Sequence, residues 1–265
     1  MPTLSYSTAL CLAATCFCAA ATEAFAQEVS QNEVNNPLTP KNTIFLQNYY
    51  GSDLAGIQDK DANKFQLQGL FPHQIGGPDQ LFRFTLPLAT APTEAGQATD
   101  LGDLTLLDVF PFHAGGVELG IGPLFVLPTA TDRATGAGKW QAGAAGVLIA
   151  PQTQGLLGAL VTYQHSFAGP PSRADVSLMT VQPLIIYNLP QGWYLRSSAI
   201  WVLDFVGDSS YVPIGFGLGK VIQTSGPTVN VYLEPQVTAW KADGLGIPKW
   251  QILGGVTLQF PIRRH

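Results

Sequence analysis

Cysteine is missing from most of this 265-residue chain: Cys11, Cys16 and Cys18 all stand before Ala26, and the stretch from Gln27 to His265 has none. That absence excludes a disulfide-stapled domain from the main body, which must gain its stability from topology or packing. Charge is scarce and nearly balanced, with 13 Lys and Arg against 18 Asp and Glu, so the chain lacks the basic surface a nucleic-acid partner needs. Beyond Ala26 no apolar run approaches the ~20 residues of a transmembrane helix, although 46% of the chain is hydrophobic and mean hydropathy is positive. Apolar residues are therefore dispersed, and 28 Gly with 20 Pro argue against long helices. His73 and His113 fall in predicted turns, His165 near a strand end and His265 at the terminus, so the histidines supply no spaced ligand set, and neither metal nor cofactor is expected.

The exception to this dispersion is the start of the chain. Ala9 to Ala21 is almost wholly apolar, and Ala24-Phe25-Ala26 has the small-x-small form read by signal peptidase, so residues 1–26 are expected to be a cleaved export signal. Leu10, Thr15 and Phe17 precede the three cysteines, which argues against a lipoprotein. An uncleaved anchor helix is the alternative, and the run is short for it.

Alternation dominates the chain beyond Ala26. Near the C-terminus Val229, Val231, Leu233, Val237 and Ala239 interleave with Asn230, Tyr232, Glu234, Gln236, Thr238 and Trp240. Trp250, Ile252, Val256, Leu258 and Phe260 alternate with Gln251, Thr257 and Gln259, and the same period runs through Trp193 to Asp204 and Phe82 to Leu88. Weaker segments at 43–50, 64–71, 101–110, 117–127, 140–149, 156–167, 176–188 and 212–222 bring the expectation to about twelve strands. Asp108 falls in phase with Leu104 and Leu106, which signals a bulge or an early strand end, and Pro123, Pro183, Pro213 and Pro235 argue against regular pairing where they stand.

The connections predict closure. Each of those at 51–63, 89–100, 128–139, 168–175 and 204–211 is longer than the one that follows it, at 72–79, 111–116, 150–155, 189–192 and 223–227, and 241–249 is again long. This parity fits strands running up and down through a membrane, with long outer loops and tight periplasmic turns; a soluble sandwich or lipocalin-like fold gives no reason for it. Backbone groups in hydrocarbon must also be paired, and only closure removes a sheet's edges. The expected fold is therefore all-β, a transmembrane antiparallel up-and-down barrel over 43–261. A periplasmic N-terminal segment precedes it at 27–42 and a tail comes after it at 262–265.

In such a barrel the apolar face meets lipid and the polar face the lumen. Arg83, Glu118, Gln182, Tyr194, Arg196, Tyr232, Glu234 and Gln236 are then the candidate channel-lining residues, either selecting solutes by charge or pairing with one another across a filled interior. Gly215, Gly217 and Gly219 would bare one inner wall for a solute or inserted loop, or ease tight coiling. Trp140, Trp193, Trp250, Tyr187, Tyr49 and Tyr50 fall near strand ends, as interfacial aromatic girdles do. A hydrolase triad of Ser166, His165 and Asp204 is disfavoured, because adjacent strand residues point to opposite faces. Asp132, and Asp53 with Asp59 and Asp61, read as solvated loop carboxylates rather than cation sites.

Several stretches taken together resemble a family. They are Leu101-Gly102-Asp103 with Thr105-Leu106, Gly122-Pro123 with Leu127 to Asp132, and Gly136 to Gly143 around Gly138-Lys139-Trp140. Further on stand Gln182-Pro183, Tyr187 to Pro190 with Gly192-Trp193, Val212-Pro213 with Gly219-Lys220, and Trp250 to Pro261. They resemble the Gram-negative outer-membrane β-barrel family named for the MetA pathway of phenol degradation, whose members are labelled transporters or neuromedin U. The resemblance covers nearly all of 40–261. It implies an outer-membrane barrel that passes small, aromatic or hydrophobic compounds, and no catalytic residues. Its implied partners are the lipid bilayer, an unidentified small solute and the barrel-assembly machinery, which would read Gly255, Leu258 and Phe260 in the last strand. A pore is the first functional expectation; a structural or adhesive barrel with a filled lumen, and a barrel hydrolase, are the alternatives.

Overall fold

The computed structural model describes residues 30–93, 96–244 and 246–261; the expected signal peptide and the tail 262–265 lie outside them. A short helix, α1 (Gln31–Asn35), precedes a single 15-stranded antiparallel sheet. Its strands are β1 (Asn42–Leu54), β2 (Ala62–Gln74), β3 (Asp79–Thr93), β4 (Gly96–Leu101), β5 (Leu104–Ala114), β6 (Val117–Leu127), β7 (Trp140–Gln152) and β8 (Gly155–Ala168). They continue with β9 (Ser177–Asn188), β10 (Trp193–Ser197), β11 (Trp201–Asp204), β12 (Ser209–Gly215), β13 (Gly217–Ile222), β14 (Thr228–Ala242) and β15 (Pro248–Phe260). β4 only lengthens the β3 hairpin, and β10/β11 and β12/β13 are each two halves of one stave, so the wall has 12 staves. β1 pairs with β15 from Asn42↔Phe260 to Leu54↔Pro248, which closes the sheet into a transmembrane barrel.

The first and last strands of the described residues begin and end at one rim, the terminal rim, where connections such as Gly115-Gly116 are tight and Gly115 takes the left-handed φ of 64°. The longest link, Pro128 to Lys139, lies at the opposite, loop rim. Strands reach further than the alternation predicts: much of the expected loop 51–63 is strand, because β1 runs on to Leu54 and β2 begins at Ala62. Large apolar side chains cover the outside, Ile121, Phe125, Leu148, Leu157, Ile185, Leu233 and Val237 among them. Trp140, Trp250 and Tyr50 stand near the loop rim and Tyr187 and Trp193 near the terminal rim, all exposed, as two girdles. Tyr49 does not join them. It is 8% exposed, points inward and packs with Tyr232 and Leu253. Trp240 also departs from its expected polar face: the register shifts between Val212 and Pro213, Ala239 is left over, and Trp240 is exposed.

The four awkward prolines all mark interrupted ladders, since each lacks the N–H a pair would use. Opposite Pro123, pairing between β5 and β6 skips Asp108 and Val109. Pairing between β9 and the β10/β11 stave stops at Ser197↔Ile185 and resumes at Trp201↔Val181, with Pro183 inside the gap. On that stave's other side it stops at Arg196↔Gly217 and resumes at Val202↔Tyr211, with Pro213 inside. Phe216, between β12 and β13, gives its N–H to the Pro235 carbonyl at 3.2 Å.

Candidate functional site

The lumen has two unlike walls. Along β10, β13, β14, β15 and β1 polar side chains fill many of the inward positions, and a chain of side-chain bonds runs across them. Arg196 Nε donates to Glu234 Oε2 at 2.8 Å, with the two side chains 8% and 0% exposed. Glu234 also accepts from the Ser198 backbone N–H at 2.9 Å, the Ser198 hydroxyl at 2.7 Å and Gln236 Nε2 at 3.0 Å. Four donors on one carboxylate supply what a buried charge needs in place of water. The Arg196 guanidinium lies 3.8 Å from the centre of the Tyr232 ring, whose hydroxyl accepts from Gln47. Gln47 in turn accepts from Gln68 at 2.9 Å, and Gln68 accepts from Arg83, whose guanidinium also faces the Phe45 ring.

Glycines make this wall possible. A Cβ on Gly219 would lie 2.2 Å from Tyr194 Cζ, one on Gly215 2.5 Å from Glu234 Oε1, and one on Gly255 2.3 Å from Tyr232 Cζ. The expectation that Gly215, Gly217 and Gly219 leave room for a solute or loop is corrected here: their space is filled by Tyr194, Glu234 and Gln236 lying flat against the barrel. Gly255 does the same for Tyr232.

Along β5 to β9 the inward positions are largely apolar in the half nearer the termini, which corrects the expectation of a uniformly polar lumen. Val109, Ile149, Leu156 and Ile186 are all buried there. They are covered by a segment that sequence reasoning treated only as a periplasmic leader. Residues 31–41 enter the mouth at the terminal rim, with Val34 and Leu38 at 5% and 4% exposure. Polar side chains pin the segment around the rim: Asn36 Nδ2 donates to Glu118 Oε2 at 2.8 Å, Asn230 Nδ2 to Asn35 Oδ1 at 3.2 Å, Gln259 Nε2 to the Val34 carbonyl at 3.0 Å and Asn188 Nδ2 to Asn32 Oδ1 at 2.7 Å. The available signal was the spacing of Val34 and Leu38, i and i+4 in an otherwise polar run, which suits one face of a helical turn.

Between plug and network lies a cavity of about 120 Å³, bordered by Val34, Phe45, Arg83, Leu184, Arg196 and Tyr232. All eight predicted residues point inward. Arg196, Glu234, Tyr232 and Gln236 form one cluster, and Tyr194 joins the plug side through its hydroxyl bond to Asn230 at 2.8 Å. Gln182 donates to the Ser198 carbonyl at 3.1 Å, Arg83 sits across the lumen, and Glu118 is drawn away to hold the plug. Among the described residues neither Arg83 nor Lys64 forms an ion pair, and Glu118, bonded to Asn36 at the plug, forms none either.

The triad residues do not meet. His165 is exposed while Ser166 is buried and bonded to Asp175, and Asp204 caps the backbone N–H groups of Val206 and Gly207. Of the loop carboxylates, Asp132 caps Ala134, Asp53 pairs with Lys249 and Asp61 accepts from Tyr50. No cluster of metal-ligating side chains occurs among the described residues. At the loop rim the Asp103 carboxylate caps the N–H groups of Ala130, Ala137 and Gly138, and Lys139 donates to Asp175 at 3.0 Å. That bond holds the Asp175 carboxyl below its ordinary range.

No protein-family model matches this chain, and no curated sequence does. Among solved structures, the COG4313 outer membrane channel from Pseudomonas putida F1 is similar, with a TM-score of 0.63 at 14% identity over 85% of this chain and 98% of that one. The likeness is one of fold. The KdgM porin is next, with a TM-score of 0.48, 10% identity and coverage of 83% and 99%. The outer membrane phospholipase A from Escherichia coli has 0.44, 16%, and 87% and 97%. Both are too distant to carry an argument.

Proposed function

We propose that this protein is a narrow outer-membrane channel for small solutes, closed at its periplasmic mouth by residues 31–41. The observation that carries the reading is the two-walled cavity behind that plug. Arg83 and Arg196 suit an anionic or hydrogen-bond-accepting group, and Leu184 and Phe45, the latter against Arg83, suit an apolar or aromatic body. The sequence resemblance to the phenol-degradation barrels points to the same class of compound. Export by a cleaved signal and assembly into the membrane by the barrel-assembly machinery belong to this reading.

The plug is held by side-chain hydrogen bonds, each worth about 0.5 to 1.5 kcal/mol net, and by burial of Val34 and Leu38, so a solute that competes for Asn230 and for the apolar wall would favour its release. Planar-bilayer recording tests the channel. The wild-type protein should show small or infrequent openings, and Asn35→Ala with Asn36→Ala should make them larger or longer. Arg83→Gln should move the reversal potential in a salt gradient toward cation preference. Absence of ion passage in the wild type and in the plug variant alike would refute the reading and favour a filled structural barrel.

A further inference from the structure

The wall carries a window. Ser198, Ala199 and Ile200 form no ladder pair with β9 on one side or with β12/β13 on the other. The register is the same above and below the gap: Arg196↔Gly217 and Val202↔Tyr211 both continue to place Ala199 opposite Ile214. No residue has therefore been inserted; an aligned stretch has come apart, flanked by Pro183 and Pro213, which have no N–H to give. Backbone groups in hydrocarbon are costly to leave unpaired, and here side chains serve them from within. Glu234 accepts the Ser198 N–H at 2.9 Å and Gln182 donates to the Ser198 carbonyl at 3.1 Å. Across the gap to the neighbouring stave, the Trp201 indole N–H reaches the Pro213 carbonyl at 3.1 Å.

Both sides of the window are shaped for apolar matter. Inside, Ile200 packs on Tyr49, Tyr232 and Leu253, beside the lumen cavity. Outside, a groove of about 550 Å³ on the membrane-facing surface runs along β13 and β14 beside the window and meets its edge at Phe216, with Trp193, Leu218, Leu233 and Pro235 also lining it. Phe216 and Leu233 are 66% and 57% exposed, and Tyr232 borders the cavity and the groove alike.

We propose that Ser198–Ile200 is a lateral portal through which small uncharged aromatic solutes leave the lumen for the bilayer. Three residues of strand span about 10 Å, the width of one or two aromatic rings. No ladder pair spans the window; side-chain bonds cross it, from Trp201 to Pro213, from Gln182 to the Ser198 carbonyl and from Ser198 to Glu234, and opening requires these to yield. Ions have no reason to take this route into hydrocarbon and keep to the barrel axis. The proposal rests on the reading of the protein as a solute channel, and its test separates the two.

Ala199→Cys with Ile214→Cys places one thiol on each side of the window, and folding is checked by heat-modifiable mobility. The probe is N-phenyl-1-naphthylamine, an uncharged aromatic dye that fluoresces in bilayers, added to cells with an intact lipopolysaccharide leaflet. Ion passage is recorded separately in planar bilayers. In the reduced double variant, dye entry should exceed that of cells lacking the protein. Oxidation to the disulfide should abolish this excess while conductance is retained, and reduction should restore it. Equal entry before and after oxidation overturns the portal, as does joint loss of dye entry and conductance. Conductance without excess dye entry in the reduced form also overturns it and leaves the channel standing. Dye entry that oxidation stops, in a protein that never conducts ions, supports the portal and sinks the ion-conducting channel.

Discussion

Replacing Arg196 by Met tests whether the lumen at this level is dry. Glu234 is 0% exposed and would be left buried without its cation, a loss of about 3 to 5 kcal/mol for a buried pair broken on one side. Glu234→Leu leaves the guanidinium buried and alone and should cost a similar amount. The double variant Arg196→Met with Glu234→Leu removes both charges, and replacing a buried pair by apolar side chains is often neutral or favourable. It still strands the Ser198 N–H, which has Glu234 as an acceptor, at about 1 to 3 kcal/mol. The single variants should therefore sum to roughly 6 to 10 kcal/mol of destabilisation and the double to only about 1 to 3, a strongly non-additive cycle. Urea unfolding in lipid vesicles, followed by tryptophan fluorescence and gel mobility, measures all four proteins. Single-variant losses of about 1 kcal/mol or less, the size found for solvated pairs, would refute the reasoning and mean that water reaches Glu234 through an open lumen.

Gly219→Ala puts a methyl group 2.2 Å from Tyr194 Cζ and should cost about 1 to 3 kcal/mol in the same assay. Gly146→Ala, where a Cβ meets nothing within 4 Å, should change stability by less than about 0.5 kcal/mol. Asp103→Ala removes the cap from three backbone N–H groups and should speed protease cleavage within 128–139 while leaving the barrel's unfolding midpoint in place. The Asp175 carboxyl is held below its ordinary range by the Lys139 hydrogen bond, so the contribution of that bond is present above the unfolded value and lost as pH falls through the folded one. Proteolysis at 169–176 should therefore stay constant through neutral and mildly acidic pH and rise only below the usual carboxylate range, and Lys139→Met should remove the dependence.

The lipid side of every stave must be apolar, so a strand shows period two in its sequence only if its inner side is polar. β14 meets that condition with Asn230, Tyr232, Glu234 and Gln236, and it was the clearest strand to read. β6 and β8 do not meet it. Leu124 and Val126 face inward on β6, Leu156 and Leu160 on β8, and both faces of these strands read alike. Their faintness carried information about the lumen: the apolar inner faces are those that Val34 and Leu38 help to cover, and a run of Asn, Gln and Pro gave little hint of a segment folded into the barrel mouth.

The prolines were legible as exceptions but not as a set, because only the register shows that Pro183 and Pro213 flank the same three residues of one stave. The same geometry explains why Glu234 is buried so deeply. A carboxylate on β14 reaches the Ser198 N–H because no ladder claims the window to either side, so the polar network and the ladder break are one construction. Disturbing Glu234 should consequently loosen the window as well as the ion pair. Hydrogen exchange at Ser198–Ile200 should rise in Glu234→Leu more than in Gly219→Ala matched for loss of stability, and equal protection in the two would separate the network from the window.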